Sequence, residues 1–267
     1  RRRLRSSNCH PAPEVGIERS PADEQKTNPK RHLSTIIQVG WIRMIAMIVK
    51  GGLAMAISNG HVSFKRPAWL GDSITANNGL ATVHYHDILA ADWDVERSDN
   101  LGISGSTIGS RYDAMAVRYQ AIPEDADFIA VFGGVNDYGR DQPLGQYGDC
   151  DMTTFYGALM MLLTGLQTNW PTVPKLFISA IHIGSDFGGS FSAVTNGLGY
   201  RQSDYEAAIA QMTADYGVPH LSLYRDAGMT FAIPAQAAIY SVDTLHPNNA
   251  GHRVIARKLQ SFLDSHF

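Results

Sequence analysis

Two polar segments at opposite ends of the chain contain side chains that could together carry out acyl transfer. Ser73 lies in the run GDSIT, and Asp243 lies three residues before His246 in the run DTLH. An aspartate at this spacing can accept the Nδ1–H of the imidazole, which leaves Nε2 to act as a general base toward a serine hydroxyl. Taken one at a time, these residues are more typical of helix caps and surface pairs.

Two glycine-containing segments between them could stabilise a developing oxyanion. Gly105, in the run NLGISGST, has no side chain, so its backbone N–H could approach a substrate closely. Asn136, in the run GGVND, carries a side-chain amide that can donate hydrogen bonds. Each segment alone is also an ordinary turn sequence, because Gly, Asn and Asp are favoured in turns.

Apolar runs and amphipathic stretches alternate from about residue 67 onward, and this order predicts the elements that position the candidate residues. Near-continuous apolar runs, typical of buried parallel strands, predict strands at 68–70, 95–101, 128–132, 175–183 and 220–224. Helical spacing predicts helices around 155–166, 205–216 and 254–263. The alternation predicts a doubly wound α/β domain. Its ligand site is expected beyond the carboxyl ends of the strands, where the first three candidate segments lie.

The order GDSIT, ISGST, GVND and DTLH resembles the sequence blocks of the SGNH hydrolase superfamily, also called GDSL esterases and lipases, from about residue 67 to the C-terminus. The resemblance implies a flavodoxin-like parallel sheet with helices on both faces, in three α/β/α layers. It also implies Ser73 as nucleophile, with His246 and Asp243 completing the triad. The oxyanion hole would consist of Ser73, Gly105 and Asn136. The implied reaction is cleavage of a carboxylic ester through an acyl-enzyme intermediate, with no cofactor.

The chain divides into a leader over residues 1–60 and a catalytic domain over 61–267. The first part of the leader is polar and without apolar periodicity, which predicts disorder, whereas residues 36–60 could form a helix. Arg43 and Lys50 interrupt its apolar stretch, so no membrane span is predicted. The preceding polar residues do not fit a signal peptide, and we expect a soluble protein, with the cytoplasm favoured over secretion. The net charge of −3 does not suggest a nucleic-acid partner.

Other chemistries are not indicated by the sequence motifs. HExxH, paired CxxC, P-loop and GxGxxG motifs are missing, as is the GxSxG motif of α/β-hydrolases. The run HYHD at 84–87 suggests a metal site, but its apolar neighbours predict a helix. On a helix, His84 and His86 would point to different faces, so no metal ligands are predicted.

Several residues near the candidate site have secondary roles in this interpretation. Asp72 and Asp137 are expected to brace their loops, and Tyr138 is expected to contact substrate. His182 either lines the site or is a structural histidine. The segment 184–200 is either a mobile cover or an ordinary surface loop.

The substrate is predicted to be a small-molecule, carbohydrate or lipid ester, with a short acyl group such as acetyl preferred. Two alternatives stay open: a lysophospholipase or thioesterase, and a catalytically silent module that binds carbohydrate or lipid. The complete Ser, His and Asp set argues against the silent module. The sequence does not determine the oligomeric state.

Overall fold

Near-continuous apolar runs form the centre of a parallel sheet, because such strands are stable where helices cover both faces. The structure, a computed structural model, describes residues 56–58, 60–184, 191–192 and 194–267. Its longest strand, FIAVFG, is buried at every position. The strands are β1 (Ala56–Ser58), β2 (His61–Ser63), β3 (Pro67–Gly71), β4 (Asp99–Gly102), β5 (Phe128–Gly133), β6 (Lys175–Ser179) and β7 (His220–Ser222).

The five strands from β3 onward form one sheet in the order β4-β3-β5-β6-β7, and all neighbouring pairs are parallel. Counted from β3, this is the flavodoxin-like order 2-1-3-4-5. The strand order reverses around β3, so the loops after β3 and β5 diverge and leave a crevice at the carboxyl edge of the sheet. The prediction of a doubly wound, flavodoxin-like parallel sheet is confirmed.

Helices cover both faces of this sheet and complete the predicted α/β/α layers. The helices are α1 (Tyr85–Trp93), α2 (Met115–Arg118), α3 (Val135–Gly139), α4 (Phe155–Asn169), α5 (Gln202–Asp215), α6 (Leu223–Asp226), α7 (Pro234–Tyr240) and α8 (Asn249–His266), with a 3₁₀ turn at Tyr119–Ala121. Helices α1 and α8 pack against each other, and α4 packs against α2 and α5. None of the helices in the described ranges is both long and apolar enough to cross a membrane.

Three strands are shorter than their apolar runs predict. Strand β6 ends at Ser179, where its neighbours β5 and β7 also end, so residues 180–183 have no strand to pair with. Strand β7 ends at Ser222, whose side chain caps α6 by accepting a hydrogen bond from the Arg225 N–H. Strand β4 begins only at Asp99. In each case the strand extends only as far as a neighbouring strand offers backbone hydrogen-bond partners. The hydrophobic periodicity of the sequence carries no information about where that neighbour begins or ends.

The predicted boundary at residue 60 falls inside a hairpin. Strands β1 and β2 pair antiparallel, with Ser58 opposite His61, and Gly60 has a φ of 84°. The helix expected over 36–60 therefore does not extend through β1, where the prediction is wrong. The sequence Asn59-Gly60 is a frequent hairpin turn, because both residues tolerate positive φ. The rest of the predicted leader lies outside the described residues.

Candidate active site

Ser73, His246 and Asp243 form a continuous chain of hydrogen bonds at the carboxyl edge of the sheet. The Ser73 hydroxyl is 2.8 Å from His246 Nε2. On the other side of the ring, His246 Nδ1 is 2.7 Å from Asp243 Oδ2. An Nδ1–H donated to the carboxylate leaves the Nε2 lone pair directed at the hydroxyl, as general-base catalysis requires. The structure thus brings together three side chains separated by up to 173 positions in sequence.

Ser73 lies in a tight turn directly after β3 rather than at the start of a helix. The N–H groups of Thr75 and Ala76 both donate to the carbonyl oxygen of Asp72, which closes the turn. The next helix, α1, begins only at Tyr85, so no helix dipole acts on Ser73. The turn nevertheless leaves the Ser73 side chain half-buried at the edge of a cleft.

The Asp243–His246 turn is closed by the aspartate itself. Its Oδ1 accepts the N–H of His246 at 2.7 Å and that of Leu245 at 3.1 Å, while Oδ2 faces the imidazole. Partial burial raises the pKa of Asp243, but the hydrogen bonds from the His246 ring and backbone outweigh it and hold the pKa below its ordinary value. Thr244, between Asp243 and His246, has a φ of 66°. This conformation is strained for a β-branched residue, and such strained residues are more frequent near functional sites.

Gly105 and Asn136 lie beside Ser73 and line the same cleft. Gly105 has a φ of 82°, which favours glycine, and a Cβ built on it would lie 2.6 Å from Nη2 of the flexible Arg140 side chain, which would have to move. The Asn136 amide donates to the Ser106 carbonyl oxygen at 3.1 Å, which orients the group and leaves its second N–H available. In the part of the chain that the structure describes, the backbone N–H groups of Ser73 and Gly105 have no hydrogen-bond partner.

Asp72 and Asp137 brace the loops on either side of the cleft, as the sequence predicts. Asp137 Oδ2 accepts the N–H of Ile108 and Oδ1 that of Gly109, both at 2.8 Å. Burial raises its pKa to about 7, although both hydrogen bonds oppose the shift. Asp72 Oδ1 accepts the Ile74 N–H at 2.9 Å. Neither carboxylate contacts the Ser73 hydroxyl by a hydrogen bond, so both act on loop geometry.

Arg118 connects the two loops, and sequence reasoning missed it. Its guanidinium donates to the carbonyl oxygens of Gly71 and Leu101, at the ends of β3 and β4. It also donates to the Ser106 hydroxyl at 2.9 Å. Burial lowers the pKa of Arg118, opposed by the Asp72 and Asp113 charges. A lone arginine in a short amphipathic helix gives no sequence signal for this role, because a surface arginine has the same pattern.

The cleft in front of Ser73 has a volume of about 410 Å³. Polar and apolar groups both line it, and Arg140 is the charged side chain among them that is not part of the triad. Besides Ser73, Gly105, Asn136 and His246, its lining residues are Asn78, Leu80, Ser104, Arg140, Phe191 and Leu245.

Tyr138 and His182 do not line this cleft. Tyr138 is fully buried, packs edge-on against Tyr205 and donates its hydroxyl to the Ser192 carbonyl oxygen, so the predicted substrate contact is wrong. His182 packs instead against Tyr224, with ring centroids 4.9 Å apart. Within the predicted cover segment 184–200, Phe191 does reach the cleft, whereas residues 185–190 and 193 lie outside the described part.

The prediction that His84 and His86 point to different helical faces is wrong. Helix α1 begins at Tyr85, and His84 precedes it in an extended conformation with φ −107° and ψ 155°. The two imidazoles therefore lie side by side, with ring centroids 5.6 Å apart and planes inclined by 14°.

Comparison with known proteins gives one family and a consistent fold. The model of the GDSL-like Lipase/Acylhydrolase family matches residues 69–254. A structure described as a possible lipase from Chitinophaga pinensis DSM 2588 is 19% identical, covering 73% of this chain and 96% of that chain with a TM-score of 0.62. Axe2, an acetylxylan esterase from Geobacillus stearothermophilus, is 18% identical over 75% and 94%, with a TM-score of 0.53. The acetyl xylan esterase AlAXEase is 22% identical over 73% and 98%, also at 0.53. No curated protein sequence matches significantly.

Proposed function

The chain belongs to the GDSL-like lipase/acylhydrolase family, and on this premise we propose that it is a serine hydrolase that removes short acyl groups from esters. The observation that carries the proposal is the hydrogen-bonded chain from Asp243 through His246 to Ser73, at the edge of an open cleft. Such a chain activates a hydroxyl that is otherwise a weak nucleophile. A catalytically silent binding module would not require this geometry.

In the proposed reaction, His246 Nε2 takes the Ser73 proton as Oγ attacks the carbonyl carbon of the ester. Asp243 holds the ring in the required tautomer and stabilises the imidazolium that forms. The imidazolium then gives its proton to the departing alcohol oxygen, and the ester C–O bond breaks to leave an acyl-serine. Water, activated by the same histidine, attacks the acyl-serine and releases the carboxylic acid.

The negative charge on the carbonyl oxygen would be held by three donors. These are the backbone N–H groups of Ser73 and Gly105 and the second N–H of the Asn136 amide. Donors that are oriented before the reaction do not need to reorganise during it, which is why such groups stabilise the transition state strongly. The hydrogen bond from Asn136 to Ser106 supplies this prior orientation.

We favour an acetyl ester carried by a carbohydrate as the substrate class. The cleft offers hydrogen-bonding groups on Asn78, Ser104 and Arg140, which suit a hydroxylated substrate. Tyr112, 47% exposed, lies beside Gly105, and its ring packs against the Arg140 guanidinium, 5.0 Å from the ring centroid, which holds this donor group at the cleft. Two proteins of similar fold are acetylxylan esterases by name, which supports the same class. A lysophospholipid or thioester is the competing substrate.

The proposal is tested with p-nitrophenyl esters of increasing chain length, together with labelling by a fluorophosphonate. Ser73→Ala should lose labelling and reduce kcat by up to about 10⁶-fold, because the nucleophile is removed. Ser261→Ala is the matched control, since it removes an exposed serine hydroxyl on α8, outside the cleft. We expect it to keep both labelling and turnover of the acetate ester.

Acetylated xylo-oligosaccharides and a lysophospholipid, offered in parallel, then decide the substrate class. Acetate release that depends on Ser73 supports the carbohydrate ester. Fatty-acid release, with a preference for long p-nitrophenyl esters, would replace it with the lipid hydrolase. A correctly folded wild type that is neither labelled nor active on any of these compounds would refute the hydrolase proposal in favour of a binding module.

A further inference from the structure

A second group of side chains with metal-binding chemistry lies at the start of α1, outside the triad. His84, His86 and Asp87 each offer one ligand atom, and these atoms all lie within 4.8 Å of one another. His86 Nδ1 is 3.1 Å from Asp87 Oδ1, and His84 Nδ1 is 3.4 Å from Asp87 Oδ2. Ligand atoms around a tetrahedral zinc ion are separated by roughly 3–3.5 Å, which the two histidine–aspartate distances already match.

The local backbone produces this convergence. His84 is the extended residue before the helix, whereas His86 and Asp87 belong to its first turn. The extended conformation turns the His84 ring back over that turn, where it stacks beside the His86 ring. Residues that would diverge on a continuous helix therefore converge at its first turn.

The two ring nitrogens of His86 have different neighbours. Its Nε2 is 2.9 Å from the Thr75 carbonyl oxygen and 3.2 Å from the Asn100 amide nitrogen, so it can donate to the first or accept from the second. In the tautomer that donates to Thr75, the Nδ1 lone pair faces the Asp87 carboxylate, 3.1 Å away, and can bind an ion. Metal-binding histidines commonly donate their second N–H to a backbone carbonyl in this way.

The surroundings leave Asp87 available to an ion. In the described ranges, its charged neighbours are the two histidines, and no lysine or arginine forms an ion pair with it. Its side chain is 53% exposed, against 7% for His84 and 2% for His86, which gives an entry path from solvent to two buried nitrogens. On the inner side His252 of α8 packs against His84, with its Nδ1 accepting the Tyr85 N–H at 3.3 Å.

We propose that His84, His86 and Asp87 bind a zinc ion through two imidazole nitrogens and one carboxylate, with water in the fourth position. Imidazole nitrogen combined with a single carboxylate suits Zn²⁺ better than Mg²⁺ or Ca²⁺, which prefer oxygen ligands. The ion would act on structure rather than chemistry. Through the bond from His86 to the Thr75 carbonyl, it would connect the first turn of α1 to the turn that carries Ser73.

The test measures the metal content and the thermal unfolding of the full chain, and neither measurement depends on esterase activity. The protein carries no affinity tag, because tag histidines also bind metal. After removal of metal with EDTA and dialysis against Zn²⁺, we expect about one tightly bound ion per chain by mass spectrometry. Zn²⁺ at 100 times its Kd should raise the Tm by roughly 5–10 °C. Both effects should be lost in His84→Ala and in Asp87→Asn.

His61→Ala is the matched control, because His61 also pairs with an aspartate, Asp264, but has no second histidine bonded to that carboxylate. It should bind Zn²⁺ as the wild type does. Circular dichroism of the metal-free variants verifies that they fold. The proposal is overturned if folded wild type binds no more Zn²⁺ than Asp87→Asn. It is also overturned if nitrogen NMR of zinc-treated protein shows both ring nitrogens of His86 protonated, since a proton then fills the place of the ion.

Discussion

Asp72, the residue before the proposed nucleophile, offers a stringent test of how this site is held. Its side chain is fully buried, and its Oδ2 has no hydrogen-bond partner in the part of the chain that is described. Burial raises the pKa of the carboxyl from 3.8 to about 6, although the Ile74 N–H and the charges of His246 and Arg118 oppose the shift. The site therefore contains a carboxylate whose ionisation costs folding free energy.

The sign and size of this cost follow from the two pKa values. The folded protein keeps the Asp72 proton to higher pH than the unfolded chain, so stability is full below about pH 4 and is lost as the pH rises through 6. A pKa difference from 3.8 to about 6 corresponds, at 1.36 kcal/mol per unit, to about 3 kcal/mol. About 2 kcal/mol of this loss falls between pH 4.5 and pH 8.

Asp72→Asn keeps the size of the side chain and the acceptor for the Ile74 N–H, but it cannot ionise. Relative to wild type, its free energy of unfolding should therefore rise by about 2 kcal/mol between pH 4.5 and pH 8. The new amide N–H₂ group, if it finds no acceptor, costs about the same at every pH and does not affect this difference. Urea unfolding followed by the fluorescence of buried tryptophans such as Trp69 measures it.

Asp92→Asn, an exposed change on α1, is the control and should leave the pH dependence of stability unchanged. The informative quantity is how the difference in free energy of unfolding between variant and wild type changes from pH 4.5 to pH 8. The size of that difference at a single pH is not informative. If Asp72→Asn differs from wild type by the same amount at pH 4.5 and pH 8, the carboxyl does not ionise in this range. The reasoning that burial controls its pKa would then be refuted.

Three further changes test the proposed catalytic geometry. Asn136→Ala should lower kcat for p-nitrophenyl acetate by about 100- to 1000-fold with little change in KM, because one oxyanion donor is lost; a KM effect alone would contradict this. Asp243→Asn should lower kcat by roughly 10⁴-fold, since the ring loses its fixed tautomer, while urea unfolding verifies that the variant folds. Gly105→Ala should lose both stability and turnover. Adding Arg140→Ala should restore only part of each, because it removes the contact with the new Cβ but leaves the φ of 82°. Full recovery in the double variant would show that the backbone conformation does not matter.

Local pattern was sufficient to predict the five central strands and the three long helices. A run such as 128–132 has no polar residue to place on a solvent-facing side, so it requires cover on both faces wherever it lies in the chain. The four motif segments, combined with a family resemblance, named the residues that now lie around one cleft. The ends of strands were less predictable, because they depend on where a neighbouring strand stops.

The features that the sequence did not predict depend on where helices begin, which way they point and which backbone groups lie near them in the folded chain. Tyr138 was expected at the substrate, yet the direction of α3 turns its ring into the core against Tyr205. His84 and His86 are predicted to point to different faces of a helix, yet the helix begins only at Tyr85, after His84. Arg118 gave no signal at all, because its partners are backbone carbonyls of strands that precede it.

The sequence by itself therefore determined the α/β alternation, the family and the identity of the residues available for chemistry. Tertiary structure alone decided their distances. It brought His246 to 2.8 Å from Ser73, placed the Arg118 guanidinium between the ends of β3 and β4, and brought ligand atoms of His84, His86 and Asp87 within 4.8 Å of one another. The physical reason is the range of the interactions. Periodicity and turn preference arise from neighbours within a few residues, whereas a hydrogen bond across 173 positions depends on the sheet order, helix starts and backbone carbonyls that the folded chain provides.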